Sequence, residues 1–289
     1  MASNELLRLS RGWQRAEDIA AAALADARAE LHHALQLVAD AGRKLDAGSD
    51  TEYVAEARAL ATGLVRGTRP FRVGLAIGDF ALLLTDRAGK VVRSLPLQGK
   101  TFAQAVRWLR TEVEGLGADG QKITGDAPYD LPDHKVAAGA PFSAASQESM
   151  RRLGAYFGNA WRLLTCVSEQ HAEAAPVRCS SETLDYGASI PFDDGKQIDF
   201  GFRPGDDEHD EPYFYVALLP PPELDEDELE ELGELEGGGE WRTEGWFGGL
   251  LPGSAYTIYD SESRQAAAAE AFFDSALEQA RALLGVGED

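Results

Sequence analysis

Apolar side chains recur at three- or four-residue steps along the first part of the chain, which at about 100° of rotation per residue places them on one stripe of a helix. The stripe comprises Leu24, Leu31, Leu35, Val38 and Gly42. This pattern predicts a helix over residues 5–45 and a second helix over 51–66. Ser49 and Glu52 fit a capping box at the start of the second helix. We therefore expect residues 1–66 to form a helical N-terminal segment.

The hydrophobic pattern changes from residue 70 onward. Residues 71–97 contain three short runs of strand-forming residues between turns, which predicts an antiparallel meander. Further strands are predicted over 176–186, 196–203 and 213–219, and helices over 101–115, 144–173 and 262–284. Because strands and helices do not alternate regularly, a doubly wound parallel sheet is disfavoured. The predicted fold class is α+β, in which residues 70–285 form a domain whose antiparallel sheet takes strands from both halves and is flanked by helices.

The chain is strongly acidic, with a net charge of −22. A nucleic-acid-binding protein needs a Lys/Arg footprint for the phosphates, so this charge argues against nucleic acid as a partner. No stretch approaches the roughly 20 apolar residues of a membrane helix, and residues 1–20 do not read as a secretory signal. Cys166 and Cys179 are too few to suggest a disulfide scaffold. We expect a soluble, cytoplasmic protein that binds neither nucleic acid nor a membrane.

Two segments concentrate the acidic residues. Residues 223–239 combine an acidic run with a glycine run and are predicted to be a flexible insert. Residues 206–211 hold five carboxylates together with His209, and hard cations bind to such oxygens. The alternation of a calcium-binding loop is absent, however, and a solvated turn between two strands accounts for the charges better. The sequence therefore predicts no metal site and no cofactor.

Three further side chains are candidates for ligand binding. His32 and Gln36 are four residues apart and share one helix face, where such a pair could bind a ligand or move a proton. A buried histidine that hydrogen-bonds to a neighbouring element is the favoured alternative. Trp246 belongs to an aromatic, glycine-rich segment that could line a pocket, although aromatic residues more often fill the core.

The segment IDFGFRPGDDEHDEPYFYV at 198–216 carries the most specific motif of the chain. It resembles the signature I-[SD]-F-G-F-x-P-G-D…P-x-F-Y of an uncharacterised bacterial family, a domain of unknown function. The matching residues are Phe200, Gly201, Phe202, Pro204, Gly205, Asp206, Pro212, Phe214 and Tyr215. LHHALQ at 31–36 is similar to the family's early L-H-x-x-x-Q helix, with His32 and Gln36 at the corresponding positions.

The resemblance covers most of the chain in order, but it implies no activity. The chain departs from the family pattern in its acidic insert at 223–236, and PFRVGLAIG stands where the family has an aromatic-histidine segment. Much of the central motif is also explained by folding, since Phe200 and Phe202 alternate onto one strand face before a Pro-Gly turn.

Two functional hypotheses remain open from the sequence. The absence of a recognised catalytic motif and the acidic surface favour a non-catalytic binding or interaction protein, whose partner is a protein or a small molecule and which could form a homodimer. The alternative is an enzyme of unrecognised type, with or without metal assistance, whose pocket includes His32 and Asp206. No catalytic residue is predicted. The predicted ligand-binding residues are His32, Gln36, Asp206, His209 and Trp246.

Overall fold

The structure, a computed structural model, describes residues 12–48, 50–143 and 147–286. Its helices are α1 (Ala21–Lys44), α2 (Phe102–Gly115), α3 (Gln147–Glu169), α4 (Glu226–Glu230), α5 (Gly253–Thr257) and α6 (Glu262–Leu284). Its strands are β1 (Glu52–Val54), β2 (Ala59–Ala61), β3 (Phe71–Ala76), β4 (Ala81–Asp86), β5 (Val91–Pro96), β6 (Arg178–Cys179), β7 (Tyr186–Pro191), β8 (Gln197–Arg203), β9 (Tyr213–Leu219), β10 (Glu240–Arg242) and β11 (Gly248–Pro252). The α+β fold class is confirmed.

The chain divides into two compact units, and each is described separately. The first unit comprises Ile19–Gly158 and Arg178–Asp185. The second unit comprises the described parts of residues 1–18, 159–177 and 186–289. Among the described residues, no helix is both long and apolar enough to cross a membrane.

An antiparallel meander forms the sheet of the first unit, in the order β1-β2-β3-β4-β5. The predicted meander over 71–97 is therefore confirmed as β3, β4 and β5. In the second unit, the strands follow the order β10-β11-β9-β8-β7. The prediction of one sheet that takes strands from both halves was wrong, because β3–β5 pair with β1 and β2 instead.

The predicted helix over 51–66 is also wrong, because this segment forms the hairpin β1–β2. Glu52 pairs with Ala61 across the hairpin, and Leu60 pairs with Leu75 of β3. All three residues of β2 are buried, so pairing on both sides of this strand outweighed the helical spacing of apolar residues such as Val54, Ala57 and Ala61. Of the predicted capping box, Ser49 lies outside the described residues, while the Glu52 carboxylate binds Arg72.

The first predicted helix begins later than expected, at Ala21. Residues 1–11 lie outside the described residues, and residues 13–20 are not helical. The fully buried side chain of Gln265 accounts for this within the second unit. Its amide oxygen accepts from the Ala16 N–H at 2.9 Å, and its amide nitrogen donates to the Ala16 carbonyl at 3.0 Å. Main-chain groups held in this way are not available for a helix.

The three later helices follow the sequence pattern. Thr101 and Gln104 form the predicted capping box of α2. Ser261 caps α6, and Gly285 ends it in the left-handed conformation with φ 65°. For α3, residues 144–146 lie outside the described part, and the predicted cap Ser143 donates its N–H and its hydroxyl to Glu30, each at 2.9 Å.

The acidic insert over 223–239 contains the short helix α4 and then contacts α6. The Glu236 N–H donates to Ser275 Oγ at 2.9 Å, and the Gln279 amide donates to the Glu234 carbonyl at 3.0 Å. Leu235 is buried. Much of the core of this unit lies between the sheet and α6, where the ring of Phe273 stands edge-on to Phe200 at 6.3 Å and to Phe214 at 5.7 Å.

We predict that Gly154→Ala destabilises the first unit. A Cβ at residue 154 of α3 would lie 2.7 Å from the Cα and N atoms of Gly78, where only backbone could yield. Overpacking of this kind costs about 1–3 kcal/mol. Urea unfolding monitored by circular dichroism measures the change. The matched control is Gly115→Ala on α2, where a Cβ meets nothing within 4 Å. We expect that control to be neutral or stabilising by up to about 1 kcal/mol, and equal destabilisation by both variants would contradict the prediction.

Candidate functional site

The structure places the predicted site residues in two groups. His32 and Gln36 belong to the first unit, whereas Asp206, His209 and Trp246 belong to the second. Each group is therefore a candidate site of its own.

In the first unit, His32 and Gln36 of α1 converge on one backbone carbonyl. His32 Nε2 lies 3.0 Å from the Ser181 oxygen, and the Gln36 amide donates to the same oxygen at 2.7 Å. The hydroxyl of Tyr129 donates to Gln36 Oε1 at 2.8 Å and lies 2.8 Å from Ser181 Oγ. The structure brings these two side chains to one acceptor, and what they bind is another segment of their own unit.

Other polar side chains of α1 make contacts of the same kind. The carboxylate of Asp40 accepts from the N–H groups of Thr124 at 2.8 Å and Gly125 at 2.7 Å. His33 Nε2 lies 3.0 Å from the Pro132 carbonyl. All of these side chains are buried, and a buried polar group requires a hydrogen-bond partner. The polar side chains of helix α1 thus hold several loops of the first unit in place through hydrogen bonds to their main-chain groups.

Burial lowers the pKa of His32, against the opposing effect of its hydrogen bond to Ser181, and the neighbouring His33 lowers it further. Burial also lowers the pKa of His33, again against a backbone hydrogen bond. Both imidazoles are therefore uncharged at neutral pH. An uncharged histidine that donates to a backbone carbonyl is a structural group, which is the favoured reading of His32 from the sequence.

In the second unit, six side chains make a closed circle of contacts, which we call the aromatic–arginine ring. Its members, in order, are Arg203, Tyr215, Trp246, Arg242, His209 and Asp206. Three of them are residues predicted from the sequence, and the structure brings these three together. Arg203, Tyr215 and Arg242 were missed.

In the aromatic half of the ring, two adjacent aromatic side chains each have a guanidinium group over one face. Arg203 Cζ lies 5.8 Å from the ring centre of Tyr215, and Arg242 Cζ lies 5.7 Å from that of Trp246. The rings of Tyr215 and Trp246 meet edge to face, 6.2 Å apart at 72°. Such cation–π and edge-to-face contacts favour one arrangement of these large side chains.

The polar half of the ring is closed through His209. Its Nδ1 lies 3.2 Å from Asp206 Oδ1, and its Nε2 lies 3.3 Å from Arg242 Nη1. An imidazole with its proton on Nδ1 satisfies both contacts, since Nε2 then accepts from the guanidinium. Asp206 also lies 3.6 Å from Arg203, and Arg242 pairs with Glu208.

Asp206 anchors the turn between β8 and β9. Its Oδ1 accepts from the N–H groups of Glu208 and His209, each at 2.9 Å, and its Oδ2 accepts from the hydroxyl of Tyr213. Burial opposes its ionisation, but these hydrogen bonds outweigh burial and lower the pKa of Asp206 to about 2. Burial and the Asp206 charge together raise the pKa of Tyr213. Asp206 is thus a fixed carboxylate and Tyr213 a fixed phenol.

Gly201 shows why the F-G-F motif contains a glycine. Gly201 and Tyr215 are directly opposite each other across β8 and β9. A Cβ at residue 201 would lie 2.5 Å from the Tyr215 hydroxyl oxygen and 2.7 Å from Cζ. Phe200 and Phe202 are buried on the other face, so the motif is a strand that fills the core on one side and leaves space for the Tyr215 ring on the other.

The polar atoms of His209 and Asp206 already have partners within the protein, and this limits the chemistry that they can perform. Both nitrogens of His209 and both oxygens of Asp206 have partners within the ring and its turn. Among the described residues, no group of three or more His, Cys, Asp or Glu side chains is arranged to hold a metal ion. The metal-assisted alternative therefore has no ligand set in that part of the chain.

Comparison with known proteins adds no further assignment. The chain matches no family model, no curated protein and no solved structure. The resemblance to an uncharacterised bacterial family stays a prediction.

We predict that the stability of the first unit falls as the pH drops below 6.5 because of His32 and His33. Both pKa values are lower in the folded state than the ordinary value of 6.5. At a pH between the folded-state pKa and 6.5, the unfolded chain therefore binds more protons than the folded protein does. The stabilisation is complete above pH 6.5 and is lost as the pH falls towards the folded pKa. Urea unfolding between pH 7.5 and 5.5 should give a shallower pH dependence for a variant with His32→Gln and His33→Gln. Identical slopes for this variant and the wild type would contradict the prediction.

We predict that Tyr213→Phe destabilises the second unit at neutral pH. The change removes the hydroxyl that donates a hydrogen bond to Asp206 Oδ2. This carboxylate oxygen then loses a hydrogen-bond donor, which lowers the free energy of unfolding by about 1–3 kcal/mol. Denaturant unfolding at pH 7 measures this change. Tyr259→Phe removes a hydroxyl outside the ring in the same unit and should change the free energy of unfolding by less than about 0.5 kcal/mol. A Tyr213→Phe effect as small as that of the control would show that the turn does not depend on this hydrogen bond.

Proposed function

We propose that this protein is a soluble, non-catalytic interaction protein that binds an exposed segment of another protein through the aromatic–arginine ring. The observation that carries the proposal is the pairing of two arginines with two aromatic faces in one closed circle on the sheet face opposite α6. Tyr, Trp and Arg are the side chains that most often dominate binding energy at protein interfaces.

The rigidity of the ring supports recognition. Binding is stronger when the recognising side chains are already ordered, because less conformational entropy is lost on association. Trp246 and Arg242 are each in contact with two other ring members, and both are half-buried rather than fully withdrawn from solvent. A partner side chain can therefore meet an aromatic surface that does not need to rearrange.

The satisfied polar half of the ring argues for binding over catalysis. A general base needs a nitrogen or oxygen available to accept a proton from a substrate, at a pKa near the working pH. His209 has a partner at each nitrogen, and the pKa of Asp206, about 2, is far from neutral. The first-unit pair of His32 and Gln36 is likewise committed to the Ser181 carbonyl.

The family resemblance and the cytoplasmic location belong to the same proposal. The matched residues Gly201, Asp206 and Tyr215 are the ones that make room for, anchor and form the ring. The net charge of −22 favours solubility and discourages association with nucleic acid. Burial raises the pKa of the Cys179 thiol, which suits a structural cysteine in a reducing compartment.

We predict that Trp246→Ala abolishes selection of a peptide motif. The wild-type protein, immobilised and exposed to a displayed random-peptide library, should enrich a defined motif, and the variant should lose it because the central aromatic surface is gone. Binding of the enriched peptide is then measured by fluorescence anisotropy. The variant should weaken binding by about tenfold or more, as for a hot-spot residue.

Trp161→Ala is the matched control for this experiment. Trp161 also carries an arginine over its ring, with Arg162 Cζ at 5.7 Å, but it lies on α3 and outside the aromatic–arginine ring. The control should select the same motif with an affinity close to that of the wild type. Enrichment of the same peptides by wild type and Trp246→Ala, or their loss in the control as well, would overturn the proposal.

A further inference from the structure

The aromatic–arginine ring contains a contact that exists in only one protonation state of His209. His209 Nε2 lies 3.3 Å from Arg242 Nη1. A guanidinium group has only hydrogen-bond donors, so Nε2 can take part in this contact only as an acceptor. The closed ring therefore requires an uncharged imidazole with its proton on Nδ1, and this nitrogen lies 3.2 Å from Asp206 Oδ1.

Protonation of His209 turns this contact from attraction into repulsion. A protonated imidazole carries an N–H at Nε2, which would point at a guanidinium N–H, and both groups would then be positively charged. The side chains of His209 and Arg242 are only 18% and 22% exposed, so water screens this repulsion incompletely. Histidine is also the side chain whose charge most readily changes between pH 5 and 8.

The groups around His209 decide which side chain moves when it is protonated. The charged and titratable ones are Asp206 and Glu208 in its own turn, Arg203 at the end of β8, Tyr213 on β9 and Arg242 on β10. Asp206 stays ionised throughout this pH range, because its pKa is about 2, and it attracts the imidazolium through Nδ1. His209 is thus held within its turn, and Arg242 is the partner that leaves.

The surroundings of Arg242 favour its departure. Its Nε is buried, and among the described residues no acceptor lies within hydrogen-bond distance of this atom. A buried donor without a partner is unfavourable, so contact with water stabilises this group in the open state. Glu208, which pairs with Arg242, is 63% exposed and can follow the guanidinium into solvent. Departure of Arg242 breaks the ring at both His209 and Trp246.

We propose that protonation of His209 opens the aromatic–arginine ring by expelling Arg242 from the face of Trp246, so that the ring binds its peptide partner at neutral pH and releases it in mildly acidic solution. The part of this inference that concerns the peptide rests on the proposed function. The opening itself does not, and it can be observed with the protein alone.

NMR spectroscopy of the full chain without peptide tests the opening. The Nε–H signal of Arg242, assigned with Arg242→Lys, is displaced in the closed ring because the guanidinium lies over the ring of Trp246. As the pH falls from 7.5 to 5.5, this signal should move to the position of solvent-exposed arginines, with the same midpoint as the Cε1–H signal of His209. A stationary Arg242 signal, or two different midpoints, would overturn the inference.

Two glutamine variants separate His209 from the other histidines. In His209→Gln the side-chain oxygen can accept from Arg242 at any pH, so the Arg242 signal should stay in place. His171→Gln is the matched control, because His171 Nδ1 also accepts from an arginine, Arg281, at 3.0 Å, but outside the ring. This control should show the wild-type shift, and the opposite pattern in the two variants would overturn the inference. If His209→Gln does not fold, the two wild-type midpoints still decide.

Fluorescence anisotropy then measures release of the peptide that the wild-type protein enriches at pH 7.5. The Kd should rise about tenfold between pH 7.5 and 5.5 for the wild type and His171→Gln, since uptake of one proton changes affinity by at most about tenfold per pH unit. For His209→Gln it should change by less than about twofold, because the acceptor does not titrate. Ring opening without any enriched peptide would support the switch and overturn the proposed function. Peptide binding that does not depend on pH would overturn the switch and leave the proposed function in place.

Discussion

Buried side chains that hydrogen-bond to main-chain groups far away in sequence are the constraint on which both units depend. A buried donor or acceptor without a partner costs roughly 1–3 kcal/mol, so each such side chain specifies one position for the segment that it contacts. Gln265 holds the main chain of Ala16, 249 residues away, and His32 holds the carbonyl of Ser181, 149 residues away. Hydrophobic burial drives these segments together, and the polar contacts decide which main-chain groups meet.

The same constraint explains how far the fold could be predicted. Helices α2 and α6 carry their own start signals in Thr101 and Ser261, so their positions follow from local sequence. The hairpin β1–β2 does not, because apolar residues such as Val54, Ala57 and Ala61 fit a helical spacing and its conformation depends on pairing with β3, which is distant in sequence. Residues 13–20 were likewise assigned to a helix because nothing local reveals their contact with Gln265.

The candidate site was predictable in part for a similar reason. Asp206 and His209 stand out as a polar cluster, and the alternation of Phe202, Arg203, Phe214 and Tyr215 along two strands could have placed the missed Arg203 and Tyr215 on one face. Arg242 could not be found in this way, since only the pairing of β10 with β11 and of β11 with β9 brings it near His209. The roles of His32 and Gln36 required knowledge of Ser181, a residue with no signal of its own.

The first unit can be completed only late in synthesis, because residues 178–185 belong to it while the segments on both sides of them belong to the second unit. The carbonyl that Gln36 binds lies 145 residues downstream. At a translation rate of roughly 5–20 residues per second, Gln36 is synthesised about 7–30 s before Ser181. During this interval the polar groups of α1 remain hydrated or find temporary partners. A chaperone that shields nascent chains would therefore encounter the first unit when strands β1–β5 have been synthesised but residues 178–185 have not.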